Sequence, residues 1–228
     1  MPPSTPLDVS DWLGQLSSSV AREFEANRQL LSFDEYLDLV VAQPARFARN
    51  SAQYLLDAIR SFGTTPATEP GALPRHNLFD APYAGGEDKV IGNERLQAEL
   101  IRLLENFVSE RRINKLVLLH GPNGSAKSSF VGCLIRAIEA YSATPDGALY
   151  RFNWVFPSRN IEGGRIGFGS APTGKGSDSY AHLPEDRIDV KIGAEHQDNP
   201  LFLIPRPQRE TLLQQALAAA GDAGFVLS

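Results

Sequence analysis

The sequence of 228 residues lacks several features that whole classes of protein require. Its single cysteine, Cys133, excludes an intrachain disulfide framework. No apolar run reaches the roughly 18 residues that a membrane-spanning helix needs, so we expect no membrane partner. Lys and Arg number 22 against 27 Asp and Glu, and this net charge of −5 argues against nucleic acid as a partner. The N-terminus MPPSTPLDVSDW is acidic, broken by prolines and unlike a secretory signal. These features together predict a cytoplasmic protein.

Hydrophobic residues make up 42% of the chain, a share typical of globular proteins that excludes a fully disordered one. Helices are predicted over residues 20–31, from Ser32 to Pro44, and over 45–61. Ser32 and Glu35 match a capping box, and Gly63 is a natural C-terminal stop. Residues 1–63 are therefore predicted to form a small helical region, which either packs on the rest of the chain or recruits a partner. Residues 64–89 hold four prolines and three glycines, and they are predicted to be a linker without regular structure.

The remaining chain, residues 90–228, shows an alternation of helices and strands. A helix carries Leu96, Leu100, Leu103, Leu104 and Phe107 as one apolar stripe. The continuous apolar run within 115–120 predicts a strand buried on both faces. A glycine-bearing loop at 121–129 leads into a predicted helix over 128–141. Another strand is predicted over 149–156. This order predicts an α/β protein of the P-loop NTPase class, with a parallel sheet and flanking helices.

Predictions for the last third of the chain are less specific. Residues 161–180 are rich in glycine and predict a flexible insertion or a hairpin. A short strand is predicted over 188–192 and a short buried segment over 201–204. A helix over 208–220 is predicted to close at Gly221.

The chemistry of the sequence lies in residues 121–128, GPNGSAKS. They match the phosphate-loop pattern G-x-x-x-x-G-K-[ST] at every fixed position except one, where Ala126 replaces the second glycine. In such a loop successive backbone N–H groups surround a phosphate, and the following helix directs its positive dipole end to the same anion. Lys127 is expected to reach the β- and γ-phosphates and Ser128 to ligate Mg²⁺. The alternative is a turn that merely joins a strand to a helix.

Two side chains near the loop allow more than one interpretation. His120 either points toward a nucleotide or is a polar cap at the end of the strand. Cys133, on the following helix, is interpreted as a small buried hydrophobe. No apolar strand after Ser128 ends in Asp-Glu, the acidic pair that usually helps to hold Mg²⁺ in phosphate-loop enzymes. The sequence therefore contains the binding part of the site without a recognisable acidic motif, and no catalytic residue is assigned.

Four stretches of the sequence resemble the PrkA family of bacterial serine protein kinases, which carry an AAA+ ATPase domain. They cover most of residues 33–221 and are FDEYL (33–37) with RNSAQ (49–53), VIGNE (90–94), the loop 121–129, and NPLFLIP (199–205). The resemblance implies ATP and Mg²⁺ as cofactors, a protein substrate phosphorylated on serine or threonine, and a homo-oligomer, because AAA+ modules commonly form rings. The apolar C-terminal residues 224–227 suggest that 90–228 is an AAA+ core truncated from a longer protein.

The resemblance also implies functional residues. Val90 and Ile91 are expected beside the nucleotide base, and Ser128 is expected on the metal. The residues expected to bind phosphate and Mg²⁺ are Gly121, Asn123, Gly124, Ser125, Ala126, Lys127, Ser128 and Ser129. Two other functions remain open: a non-catalytic interaction module that nucleotide orders, and a small-molecule kinase with the same loop.

Overall fold

The structure, a computed structural model, describes residues 30–67, 69–158, 179–222, 224, 225 and 227. The α-helices of this part of the chain are α1 (Phe33–Ala42), α2 (Pro44–Phe47), α3 (Ser51–Ser61), α4 (Glu94–Ser109), α5 (Lys127–Ser142) and α6 (Arg206–Ala220). The strands are β1 (Thr64–Thr65), β2 (Arg75–His76), β3 (Asn153–Pro157) and β4 (Ile188–Gly193). Short 3-10 helices lie at Asn77–Asp80, Pro82–Ala84, Tyr180–His182, Glu185–Arg187 and Pro200–Leu203.

The predicted parallel sheet of a P-loop NTPase is wrong for this structure. Within the described residues there are two sheets, each of two antiparallel strands: β1 with β2, and β3 with β4. The predicted strand over 115–120 is in neither sheet. The second predicted strand does form, but it pairs with β4 and places Trp154 opposite Ile192. An apolar run indicates that a segment can be a strand, but it does not specify which strand it pairs with.

The chain divides into two units that do not follow sequence order. One unit comprises Met1–Tyr36 and Asn153–Gly193, and the other comprises Leu37–Phe152 and Ala194–Ser228. In the first unit, the predicted capping box is confirmed: Ser32 Oγ accepts from Glu35 N at 3.2 Å, and Ser32 N donates to Glu35 Oε2 at 2.7 Å. The predicted boundaries at residues 63 and 89 stay a prediction.

The core of the second unit forms where α3, α4 and α5 pack together. The apolar stripe predicted on α4 is confirmed, because Leu104 and Phe107 are buried while Leu96, Leu100 and Leu103 pack against the core. Helix α5 adds residues at helical spacing, beginning with Phe130 and Cys133. The other members of this core are Ala52, Leu56, Ile59, Leu78, Phe79, Val90 and Ala137.

Two predictions for the first half of the chain need correction. The single helix expected over 45–61 is broken, because Asn50 starts a new helix with a capping box of its own, shared with Gln53. The linker expected over 64–89 has short regular elements, and its 3-10 helix Asn77–Asp80 buries Leu78 and Phe79. The Phe79 ring stacks on that of Phe130 at 4.5 Å between centroids, so this segment supports the helix that follows the phosphate loop.

Later elements agree better with their predictions. The strand expected over 188–192 is confirmed as β4, and the helix expected over 208–220 is confirmed as α6. Gly221 ends α6 in a left-handed conformation at φ 78°, as expected for a helix-terminating glycine. The segment expected to be buried at 201–204 is a 3-10 helix in which Leu201 is buried and Phe202 is exposed.

Some expectations lie outside the described residues, namely most of the predicted helix over 20–31 and nearly all of the glycine-rich stretch over 161–180. Among the helices of the described part, none combines the length and apolar character that crossing a bilayer would require.

Candidate functional site

The phosphate-loop residues form a tight turn that leads directly into α5. Two of them take left-handed backbone conformations, Gly124 at φ 81° and Ala126 at φ 57°. Glycine reaches that region without strain, whereas alanine does not. The left-handed conformation of Ala126 is thus one that favours glycine, the residue that the phosphate-loop pattern has at this position.

Helix α5 begins at this turn without a side-chain cap. Ala126 is the N-cap residue, and its carbonyl accepts the first helical hydrogen bond, from Phe130 N at 2.8 Å. The backbone N–H groups of Lys127, Ser128 and Ser129 precede that bond and have no partner within the helix. A 16-residue helix also places the positive end of its dipole here. These groups are suited to an anion.

The ammonium group of Lys127 folds back over the loop. Lys127 Nζ donates to the carbonyl oxygens of Gly121 at 2.9 Å and Pro122 at 2.6 Å, and it lies 3.1 Å from Ser125 Oγ. Ser125 Oγ donates to the same Pro122 carbonyl at 2.9 Å. The single positive charge of the loop is thus held among its own oxygen atoms.

Close packing inside the loop accounts for Gly121. A Cβ atom at this position would lie 3.0 Å from Ser125 Oγ and 4.0 Å from Lys127 Cδ. A side chain here would occupy the space in which Lys127 and Ser125 meet. Glycine at residue 121 therefore leaves room for the side chains of Lys127 and Ser125.

The hydroxyl-bearing residues of the site face solvent. Ser128 and Ser129, in the first turn of α5, are exposed, and so is Asn123 in the loop. An ammonium, uncapped N–H groups and exposed hydroxyls fit a phosphate group with an associated cation. Within the described residues there is no group of three or more His, Cys, Asp and Glu that could hold a metal ion. Ser128 is the metal ligand that the sequence predicts.

The structure brings one of the two predicted base-side residues close to the start of α5. Val90 is buried in the same core cluster as Phe130, and Ala126 packs against that cluster. The backbone N–H of Val90 donates to the carbonyl of Phe79 at 2.8 Å. Ile91 is exposed, and Gly92 turns the chain at φ 80°. A base contact would therefore fall to Ile91 or to the backbone here, since the Val90 side chain is already packed.

Three contacts hold the segment before Val90 against α5. Tyr83 OH donates to the carbonyl of Cys133 at 2.9 Å, and Cys133 Sγ donates to the carbonyl of Asp88 at 3.3 Å. Arg136 forms an ion pair with Asp88 at 2.8 Å. Burial, together with the contact to Cys133, raises the pKa of Tyr83 to about 12, so its hydroxyl stays protonated as a donor. Cys133 is fully buried, which confirms its interpretation as a core residue, while His120 is exposed.

Sequence reasoning missed a second cluster, centred on Arg49. Its guanidinium donates to Asp57 at 3.0 Å, to Tyr141 OH at 2.8 Å and to the carbonyl of Asp146 at 2.7 Å, so it joins α3 to the end of α5. The sequence did contain one signal for this position: Asn50 and Gln53 form a capping box, so Arg49 lies directly before the N-cap residue of α3.

Arg49 also lines an open groove of about 650 Å³. Apolar residues such as Leu56 and Val108 line part of it. Its charged residues balance in number, three arginines and three aspartates, and the groove favours neither an anion nor a cation. These residues are Arg46, Arg49, Arg60, Asp57, Asp146 and Asp222.

Comparison of the chain with protein-family models, with curated proteins and with solved structures finds no match.

Proposed function

We propose that the chain binds Mg-ATP through residues 121–129, as the nucleotide-binding part of a serine/threonine protein kinase similar to the PrkA family. The observation that carries the proposal is the position of Lys127, whose ammonium lies over the loop at the uncapped start of α5. An ammonium over the loop, together with the uncapped N–H groups and positive dipole end of the helix that begins at the same loop, favours a multiply charged anion.

The chain's own residues would have separate tasks in binding. Lys127 would exchange its contacts with the Gly121 and Pro122 carbonyls for phosphate oxygens, which carry full negative charge and make stronger hydrogen bonds. The exposed Ser128 hydroxyl would hold Mg²⁺, and the cation would offset phosphate charge. Ile91, exposed beside the turn at Gly92, would lie against the base.

The binding test compares ATP affinity in the wild type, Lys127→Ala and Lys191→Ala by isothermal titration calorimetry with and without Mg²⁺. Lys191 is an exposed lysine in β4 and serves as the matched control. Loss of one ammonium contact to phosphate is expected to weaken binding by at least about tenfold, since charge-assisted hydrogen bonds contribute about 1.5–3 kcal/mol. Ser128→Ala is expected to reduce the gain in affinity that Mg²⁺ gives. Equal ATP affinity in the wild type and Lys127→Ala would refute the proposal.

Phosphate transfer distinguishes the kinase from its alternatives. The chain is incubated with radiolabelled ATP and either a mixture of proteins or a mixture of small metabolites. A protein kinase is expected to transfer the label to serine or threonine of a protein. Label in metabolites alone would favour a small-molecule kinase. The non-catalytic interaction module gains support from one observation, the exposed apolar segment that leads into the loop. ATP binding without transfer to either acceptor would favour that module.

A further inference from the structure

The apolar segment 116–120, which directly precedes the phosphate loop, is exposed where the sequence predicts burial. Leu116 is 91% exposed, Val117 44% and Leu118 79%, while Leu119 is partly buried and packs against the core. The two most exposed side chains are two residues apart, as on the outward face of an extended chain. Consecutive apolar residues with such exposure are unusual on a protein surface unless they form an interaction site.

The backbone of this segment is also unpaired. Within the residues that the structure describes, no N–H or C=O group of 116–120 forms a backbone hydrogen bond. An extended chain with free N–H and C=O groups and apolar side chains is a template for another strand. The segment therefore offers both the hydrogen bonds and the hydrophobic surface that strand addition needs.

The side chains of the segment restrict what could pair with it. Leu116 and Leu118 lie on one face, and Val117 and Leu119 lie on the other, so the partner strand should be apolar on both faces as well. Residues 116–119 of this chain are such a segment, and its first three residues, Leu116, Val117 and Leu118, are exposed. A second copy can thus supply what the first copy lacks.

Charge also permits pairing of the segment with itself. In an antiparallel pair centred on Leu118, that residue lies opposite its own copy, and Leu116 lies opposite His120. Lys115 of one copy lies opposite Gly121 of the other copy. That glycine is six residues away from the second Lys115 along the partner strand, so the two lysines are far apart. Within the paired strands no like charges face each other.

We propose that the 116–120 segments of two copies pair as antiparallel β-strands about Leu118 and form a symmetric dimer. Such a contact is isologous, because the same residues meet from both sides. It buries the leucines of both copies and satisfies backbone groups that otherwise depend on water.

The test uses the full chain and measures molar mass by sedimentation equilibrium over a range of protein concentrations. The wild type is expected to form a dimer. Leu118→Lys and Leu118→Glu each place two like charges directly opposite, and each variant is expected to raise the dimer dissociation constant by at least about tenfold. An equimolar mixture of the two variants brings Lys opposite Glu and is expected to restore the dimer.

Ile135→Lys is the matched control, because Ile135 is an exposed apolar residue on α5 outside the segment, and this variant should remain a dimer. Far-UV circular dichroism checks that the exposed substitutions leave the fold intact. A monomeric wild type at every concentration would overturn the proposal, as would dimers of unchanged affinity in both Leu118 variants. Failure of the mixed variants to associate, or assemblies larger than a dimer, would contradict the symmetric antiparallel pair.

Discussion

At the scale of single residues, Ala126 is the point where sequence and conformation disagree. It takes a left-handed backbone at φ 57° and ψ 20°, where an L-residue with a Cβ is strained by about 1–2 kcal/mol. The phosphate-loop pattern has glycine at this position. The chain thus retains the turn at the expense of stability.

Ala126→Gly is therefore expected to raise the free energy of unfolding. Relief of strain is partly offset by the greater entropy that glycine gives the unfolded chain, which leaves a net gain of about 0.5–1 kcal/mol. Urea denaturation measures it. The matched contrast is Gly121→Ala, where the backbone is not left-handed and the new Cβ would lie 3.0 Å from Ser125 Oγ, so no gain from relieved backbone strain is expected. A loss of stability in Ala126→Gly would show that the left-handed alanine is not strained.

The candidate site was predictable as a set of residues but not as a set of contacts. The pattern identified Gly121, Lys127 and Ser128 because their spacing along the chain is itself the signal. The bonds from Lys127 Nζ to the Gly121 and Pro122 carbonyls depend on the folded turn, and no spacing in the sequence specifies them. The burial of Val90 depends on Phe79 and Phe130, which are distant in sequence.

At the scale of elements, local helix signals predicted the structure better than strand composition predicted strand pairing. The stripe on α4, the glycine that ends α6 and the capping box at Ser32 are local signals within a few turns of one helix. Strand pairing depends on a distant partner. Residues 115–120 and β3 both have strand-like composition, yet β3 pairs with β4 and residues 115–120 pair with no strand of the described part of the chain. The expected parallel sheet is therefore absent from that part.

The end of helix α5 depends on a glycine that no local pattern identified. A Cβ at Gly147 would overlap the carbonyl oxygen of Tyr141 and lie 2.9 Å from its ring. Tyr54 OH donates to the Gly147 carbonyl at 2.8 Å, and Arg49 donates to the carbonyl of Asp146 beside it. The turn after α5 is thus packed closely against α3.

Gly147→Ala is expected to lower the free energy of unfolding by about 1–3 kcal/mol, because the added methyl group must displace the Tyr141 backbone or ring. Gly132→Ala, inside α5 itself, is the control. A Cβ at Gly132 meets nothing within 4 Å, so the exchange should stabilise α5 by about 0.5–1 kcal/mol. Thermal unfolding followed by circular dichroism compares the two. Equal effects of both substitutions would contradict the close packing at Gly147.

At the scale of the whole molecule, folding lowers the pKa of a group in each of the two units. The pKa of Glu35 is lowered by hydrogen bonds from the Ser32 backbone and from His182, whose Nε2 lies 2.9 Å away. The pKa of His76 is lowered by burial and by the charge of Arg60. In both cases the unfolded chain binds a proton at a higher pH than the folded chain does, so acidification favours unfolding.

The two groups act in different ranges of pH. Neutral His76 contributes stability that begins to be lost as the pH falls below the pKa of this histidine in the unfolded chain, near 6.5. The loss is complete below its lowered pKa in the folded chain. The stability that ionised Glu35 contributes begins to be lost only below the pKa of this carboxyl in the unfolded chain, near 4.5. Between about pH 7.5 and 5, His76 should therefore be the larger contributor of the two.

His76→Phe is expected to flatten the dependence of unfolding free energy on pH between about 7.5 and 5. The substitution removes the imidazole whose pKa is lower in the folded chain than in the unfolded chain. The backbone N–H of residue 76 donates to Gln97 Oε1 at 3.0 Å and is kept in the variant, and His76 Nδ1 is buried without a hydrogen-bond partner to lose. Urea titrations at each pH, followed by far-UV circular dichroism, report the helices α2 to α6 of the second unit. His196→Phe, at an exposed histidine, is the matched control. A slope in His76→Phe as steep as in His196→Phe would show that His76 titrates alike in the folded and unfolded chains, and the acid sensitivity would then come from other groups.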